Sequence, residues 1–241
     1  SPPTTMSQLT FSGKCDCSTF IPNPFAKQKC RSCGGHLRDH KREAVDSKDI
    51  RAAMEADMKK NPGSLVLTRE NGGKLWQGGF MACGPKFVKK KGITHVVNTA
   101  KDLDKFFVGW GLKMLPKVEK MGTKFLKLNW FDSPDQKLWK ESKFDQFVDV
   151  FKFVDEGLRS GGAVLIHCAQ GKSRSSTATA AYLMASEGLC AKDAVALIKE
   201  KRSIAEPNSG FMKQLQEYEK SDVLKDLRAT IASASSSSAS S

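Results

Sequence analysis

Ala163-Val164-Leu165-Ile166-His167-Cys168-Ala169-Gln170-Gly171-Lys172-Ser173-Arg174-Ser175 is the stretch that decides how this chain folds. The first four residues form an apolar run of buried-strand type. The run from Ser176 to Met184 that follows reads as a helix. A strand that ends in a tight turn and opens a helix aims several backbone N–H groups and the positive helix end at one point. That point suits a phosphate dianion. Ala169, Gln170, Gly171, Lys172 and Ser173 supply the ring of amides, and Gly171 permits a backbone conformation closed to other residues. Arg174 can grip two phosphate oxygens with its planar fork. A thiolate at Cys168 is favoured by the same field that favours the phosphate, so its pKa is expected below that of a free thiol.

The full string is similar to the His-Cys-x5-Arg-Ser signature of the cysteine-dependent protein phosphatases, in particular the dual-specificity branch of atypical or MAP-kinase-phosphatase-like type. The resemblance extends from about Leu75 to Tyr218. Leu75-Trp76-Gln77-Gly78-Gly79 resembles the family's opening strand and glycine turn, and Gly92-Ile93-Thr94-His95-Val96-Val97-Asn98 its next strand. Ala181-Tyr182-Leu183-Met184 resembles the helix behind the loop. Ala191-Lys192-Asp193-Ala194-Val195, Lys201-Arg202-Ser203 and Pro207-Asn208-Ser209-Gly210-Phe211 resemble the last two helices.

The resemblance implies an enzyme that hydrolyses phosphotyrosine and phosphoserine or phosphothreonine through a phosphocysteine on Cys168, with no cofactor. His167 is expected to orient the loop rather than to transfer protons. Ser175 is implied to hydrogen-bond the thiolate as it leaves. The family carries its leaving-group acid after the strand that here spans Lys124–Leu128, within Asn129-Trp130-Phe131-Asp132-Ser133-Pro134-Asp135-Gln136. Asp132 is the first choice for that acid and Asp135 the second. The separation of Asp132 from Cys168 exceeds the family's usual one, which places an insertion around Lys137–Lys143. Two other readings stand beside this one. Lys172 adds charge that suits a phosphoinositide or phosphoglucan substrate. A phosphate-recognising or cytoskeletal adaptor would make no use of Cys168 as a nucleophile.

Strands are predicted at Leu65–Thr68, Leu75–Gln77, Thr94–Asn98, Lys124–Leu128 and Ala163–His167. Helices are predicted near Pro85–Lys91, Lys143–Ser160, Ser175–Glu187, Ala191–Lys201 and Ser209–Leu227. Phe144, Phe147, Val148, Phe151, Val154 and Leu158 lie on one helical stripe facing a core. Strands alternating with helices give an α/β fold with a compact, mostly parallel central sheet flanked by helices, which the resemblance implies is the cysteine-phosphatase fold, with a small zinc module in front. The expected divisions are a disordered 1–12, a Cys/His module at 13–42, a helical linker at 43–63, the catalytic domain at 64–222, and a helix end with a flexible Ser/Ala-rich tail at 223–241.

The N-terminal module spaces its soft ligands as Cys17-x12-Cys30-x2-Cys33-x6-His40, a tetrahedral set for structural zinc, with Cys15 and His36 as spare donors. Its Cys, Phe and Asn spacing resembles a short element found ahead of some actin-cytoskeleton adaptor domains. Seven cysteines, four of them near the N-terminus, do not form a secreted disulfide pattern, and a nucleophilic thiol needs a reducing compartment. Cys83 and Cys190 read as small buried groups. Cys83 is also the better candidate to pair with an oxidised Cys168.

The net charge is +13 over 241 residues, and lysines crowd at Lys86, Lys89, Lys90 and Lys91 and from Lys113 to Lys127. Such a surface favours anionic partners: a phosphoprotein substrate such as a kinase, or an anionic or cytoskeletal surface. With no basic-aromatic interleaving, no specific nucleic-acid partner is expected. No apolar run is long enough to span a bilayer, and Ser1–Thr10 has no apolar signal core. The expected location is the cytoplasm, with nuclear or cytoskeletal association as extensions.

Overall fold

A computed structural model of the chain describes residues 60–101, 103, 115–139 and 143–238, and the backbone alone at 12–13, 22–23, 26–30 and 40–41; at 115 and 232–238 the side chains are not described. It divides into two units, Ser1–Lys60 and Asn61–Ser241. In the first, Ser12–Gly13 pairs antiparallel with His40–Lys41, and Pro22–Asn23 with Ala26–Cys30. The predicted zinc ligands Cys17 and Cys33 lie outside the described residues, as do the side chains of Cys30 and His40.

The second unit is built on five strands: β1 (Gly63–Thr68), β2 (Lys74–Gly78), β3 (Ile93–Ala100), β4 (Lys124–Trp130) and β5 (Ala163–His167). Their order across the sheet is β1-β2-β5-β3-β4. β1 runs antiparallel to β2, and the other three pairings are parallel. β5 is therefore central and covered on both faces, which is why every one of its residues is buried and why it reads as an unbroken apolar run. His167 is level with Gly78 on one side and Asn98 on the other, so the chain leaves the sheet at its carboxyl end between two neighbouring strands.

The helices are α1 (Pro85–Lys91), α2 (Leu115–Glu119), α3 (Asp145–Arg159), α4 (Arg174–Ser186), α5 (Ala191–Lys201), α6 (Ser209–Glu219) and α7 (Asp222–Ser238), with a short 3-10 turn at Phe80–Cys83. α4 has no polar face: Arg174 through Ala185 are all buried. Its Ser, Thr and Ala side chains are small, which lets neighbouring elements approach it from every side. α3 buries Phe147, Val150, Phe151, Val154 and Leu158. Val148 of the predicted stripe is half-buried, and Val150 takes its place. Phe144, the residue before α3, adopts φ 47° and is held there by Trp139, 4.1 Å between ring centroids, and Tyr218, 5.2 Å.

The largest departures from the sequence reading are at the C-terminal end of the described residues. The single helix expected over Ser209–Leu227 is broken after Glu219, where the Ser221 hydroxyl accepts the Leu224 N–H at 3.2 Å and starts a new helix. That new helix, α7, continues to Ser238, through much of the segment expected to be a flexible tail.

Candidate active site

The loop between β5 and α4 is shaped from outside. Four successive carbonyls are each tied to a donor beyond the loop: Ala169 to the Phe80 N–H at 3.0 Å, Gln170 to Arg202 Nη2 at 2.9 Å, Gly171 to Arg202 Nε at 2.8 Å, and Lys172 to the Glu206 N–H at 2.9 Å. Gln77 Nε2 adds a longer bond to the Gly171 carbonyl at 3.4 Å and reaches Ser176 Oγ at 2.7 Å. With these carbonyls bonded to donors beyond the loop, the Gly171 N–H is turned to the Cys168 sulfur, the arrangement an anion-binding turn requires. Gly171 makes this possible with φ 71°; a Cβ there would lie 2.4 Å from the Gly78 carbonyl carbon.

At the floor sits Cys168, almost wholly buried. Its sulfur accepts the Gly171 N–H at 3.2 Å and lies 3.4 Å from Ser175 Oγ. Burial raises the thiol pKa, and Asp132 works in the same direction. The Arg174 guanidinium and the Ser175 hydroxyl outweigh them, and the thiol ends below its ordinary value. The start of the thirteen-residue α4 adds its positive end at the same place.

His167 is buried beside the thiol, its Nδ1 3.4 Å from the Cys168 carbonyl, and its own carbonyl accepts from Thr99 Oγ1 at 3.0 Å. Burial lowers its pKa to about 4, with Arg174 pushing the same way against the hydrogen bond to Cys168. The ring is therefore neutral near pH 7, and its contacts are with the loop backbone.

Arg174 donates from Nη1 to the Trp130 carbonyl at 3.2 Å, and its Nε lies 3.7 Å from Asp132 Oδ2. The ion pair brings the segment after β4 to the loop. Asp132 also accepts from Asn208 Nδ2 at 3.1 Å. The same Asn208 donates its backbone N–H to Ser173 Oγ at 3.1 Å and caps α6 by accepting the Phe211 N–H at 2.9 Å. Asp135 is exposed, and its described contact is the bond from its own N–H to Ser133 Oγ. Of the two predicted carboxylates, the structure thus brings Asp132 to the loop and leaves Asp135 outside that set of contacts.

The segment after β4 is pinned to α6 as well. Gln214 Nε2 bonds the Gln136 carbonyl at 2.8 Å and Gln214 Oε1 accepts the Leu138 N–H at 2.9 Å. Gly210 is needed here, because a Cβ would fall 1.8 Å from the Pro134 oxygen. The insertion inferred from spacing puts Leu138 and Trp139 against the aromatic cluster of Phe144 and Phe147. Cys83 packs in a different core cluster from Cys168, with Trp76, Val88 and Leu165. Cys190 caps α5 by accepting the Asp193 N–H at its sulfur, 3.3 Å. Among the described residues no cluster of three or more His, Cys, Asp or Glu is placed to hold a metal.

A parallel-sheet carboxyl end, a buried thiol with a lowered pKa and a guanidinium beside a carboxylate meet at one strand-to-helix loop. The catalytic-domain model of the dual specificity phosphatases matches residues 75–221, and the chain belongs to that family. It carries the catalytic domain of a protein-tyrosine/dual-specificity phosphatase. Dual specificity protein phosphatase 1 of Arabidopsis thaliana is 37% identical over 158 residues, covering 63% of this chain and 69% of the relative. Dual specificity protein phosphatase 1B of the same plant is 45% identical over 75 residues, 31% of this chain and 45% of the relative, so the chain spans under half of that protein. The crystal structure of DUSP15 superposes with a TM-score of 0.58 at 26% identity, covering 72% of this chain and 96% of that one. No helix among the described residues is long and apolar enough to cross a membrane.

Proposed function

We propose that this protein hydrolyses phosphotyrosine and phosphoserine or phosphothreonine in protein substrates through a phosphocysteine at Cys168. The observation that carries this reading is the setting of one sulfur atom: it has the Gly171 N–H at 3.2 Å and Ser175 Oγ at 3.4 Å, and its pKa is lowered by the Arg174 guanidinium, which lies 3.7 Å from Asp132.

In the first step the Cys168 thiolate attacks phosphorus. The P–S bond forms as the P–O ester bond breaks, and the leaving oxygen takes a proton from Asp132. Arg174 and the amides of residues 169–174 hold the three equatorial oxygens as charge builds on them. In the second step the Asp132 carboxylate takes a proton from water. The water oxygen attacks phosphorus, and the thiolate leaves with a hydrogen bond from Ser175. His167 keeps its neutral ring against the Cys168 carbonyl and fixes the loop's entry.

The atypical or MAP-kinase-phosphatase-like type, a reducing cytoplasmic location, and a phosphoprotein partner such as a kinase complete the reading. In the N-terminal unit, Cys17, Cys30, Cys33 and His40 match the soft, four-donor chemistry of a structural zinc ion, which would stabilise that short unit and take no part in the reaction. That module, together with the lysine-rich patches at Lys86–Lys91 and Lys113–Lys127, suits an anionic or cytoskeletal surface. Metal analysis is expected to return about one zinc per chain.

The test is substrate trapping. Cys168→Ser is expected to lose turnover and still capture phosphotyrosyl peptide, because the amides and Arg174 remain. Capture that is absent, or turnover that persists, contradicts the assignment.

A further inference from the structure

The signature loop holds a second cation that the chemistry above does not use. Lys172 sits two residues before Arg174, and its ammonium is 2.5 Å from Glu206 Oε2. The backbone repeats the tie: the Glu206 N–H donates to the Lys172 carbonyl at 2.9 Å. Lys172 is largely buried, with 17% of its side chain exposed, whereas Glu206 shows 60%. A carboxylate is thus presented to solvent while paired with the one lysine within the loop.

From this pair we infer that Glu206 is a specificity-determining residue that restricts the site to isolated phosphate monoesters. The inference rests on the phosphatase reading and refines its substrate class. One phosphate dianion needs only Arg174 and the loop amides. A substrate with a further phosphate on the same small ring brings a second dianion within a few ångströms of the first. The group suited to receive it is Lys172, and Glu206 already occupies that ammonium. The polyanion must displace the carboxylate or sit beside it, and either is unfavourable at the intermediate dielectric of a protein surface. A single phosphorylated side chain meets neither cost.

The experiment compares kcat/KM on a singly phosphorylated tyrosyl peptide and on a soluble short-chain phosphatidylinositol bisphosphate, for the full chain and for Glu206→Gln. The glutamine keeps the backbone bond and the volume and removes the charge. The bisphosphate is expected to gain about three- to tenfold, the size of a partly exposed charge interaction, with the peptide little changed. The gain should shrink at high salt, and it should vanish when Lys172→Gln is added to Glu206→Gln. An unchanged ratio of the two substrates, an equal gain on both, or a gain that survives loss of Lys172 overturns the inference. A wild-type protein that already prefers the bisphosphate to the peptide instead overturns the protein-phosphatase reading on which it rests.

Discussion

Asn208 joins Asp132 to the loop that follows Cys168: its side-chain amide bonds Asp132 Oδ1 at 3.1 Å, and its backbone N–H bonds Ser173 Oγ at 3.1 Å. One residue at the start of α6 thereby sets the distance between two segments more than thirty residues apart in the chain. Its third bond, the cap on the Phe211 N–H, can be separated from this role by substitution. Asn208→Ser retains a capping oxygen and loses the bond to Asp132, whereas Asn208→Ala loses both. Both variants are expected to slow hydrolysis of a phosphoserine peptide by about three- to tenfold. Only Asn208→Ala should also cost about 1 kcal/mol in urea unfolding.

Asp132 donates the leaving-group proton in this account. Asp132→Asn should lower kcat by a factor of about 100 or more for an alkyl phosphate, and far less for an activated aryl phosphate whose leaving oxygen needs no proton. Asp135→Asn should show no such dependence on the leaving group. The reverse pattern in the two variants would move the acid to Asp135.

Arg202 holds the loop through its backbone carbonyls. Its guanidinium satisfies the carbonyls of Gln170 and Gly171, and Nη1 reaches the Asn61 carbonyl at 3.1 Å. Arg202→Met removes the Arg202 bonds to all three carbonyls, leaving Gly171 only the longer bond from Gln77, and should destabilise the protein by on the order of 3 kcal/mol. Arg202→Lys keeps the charge and loses the fork. It should fold, yet bind tungstate about tenfold more weakly, because the loop carbonyls are no longer both held outward. Tungstate affinity equal to wild type in Arg202→Lys would show that the loop holds its shape by itself.

The buried His167 predicts a pH dependence of stability. Its pKa is about 4 in the folded chain, below the ordinary 6.5. Above pH 6.5 both folded and unfolded forms carry a neutral ring, and the full stability is present. As pH falls toward 4 the unfolded chain takes up a proton that the folded chain refuses, so stability declines across that window, by up to about 3 kcal/mol from this group. Urea midpoints measured from pH 7 to pH 4 should fall less steeply in His167→Gln than in wild type. Parallel slopes would contradict the burial of a neutral ring.

Much of this fold can be read from local pattern. Ala163–His167, Pro85–Lys91 and Ala191–Lys201 have the predicted bounds, because each is a periodic or fully apolar run with glycine or cap residues at its ends. The strands β3 and β4 run further than expected, to Ala100 and Trp130, where the apolar run gives way to Asn98 and Asn129 and the pattern weakens. The break before α7 had a signal, Ser221-Asp222, of the kind that starts helices, but the surrounding apolar spacing carries through it. Cys168, Arg174 and Asp132 were legible because a motif fixes the first two and a strand end fixes the third.

The partners that give the site its shape were not legible in the same way. Gln77, Arg202 and Asn208 sit in segments that resemble family elements, yet their bonds to the loop and acid span 94, 31 and 76 positions. No local period encodes such pairings. The one available clue was composition: a glutamine inside an apolar strand and an arginine at a helix end are polar groups that need partners once buried.

The central claim, covalent transfer to one sulfur, is tested most directly by rapid acid quench of the enzyme with a radiolabelled phosphotyrosyl peptide, followed by peptide mapping. The account predicts acid-trapped phosphate on Cys168 during turnover, absent from Cys168→Ser. Phosphate release at full rate with no label on Cys168, or label retained in Cys168→Ser at wild-type turnover, would contradict it.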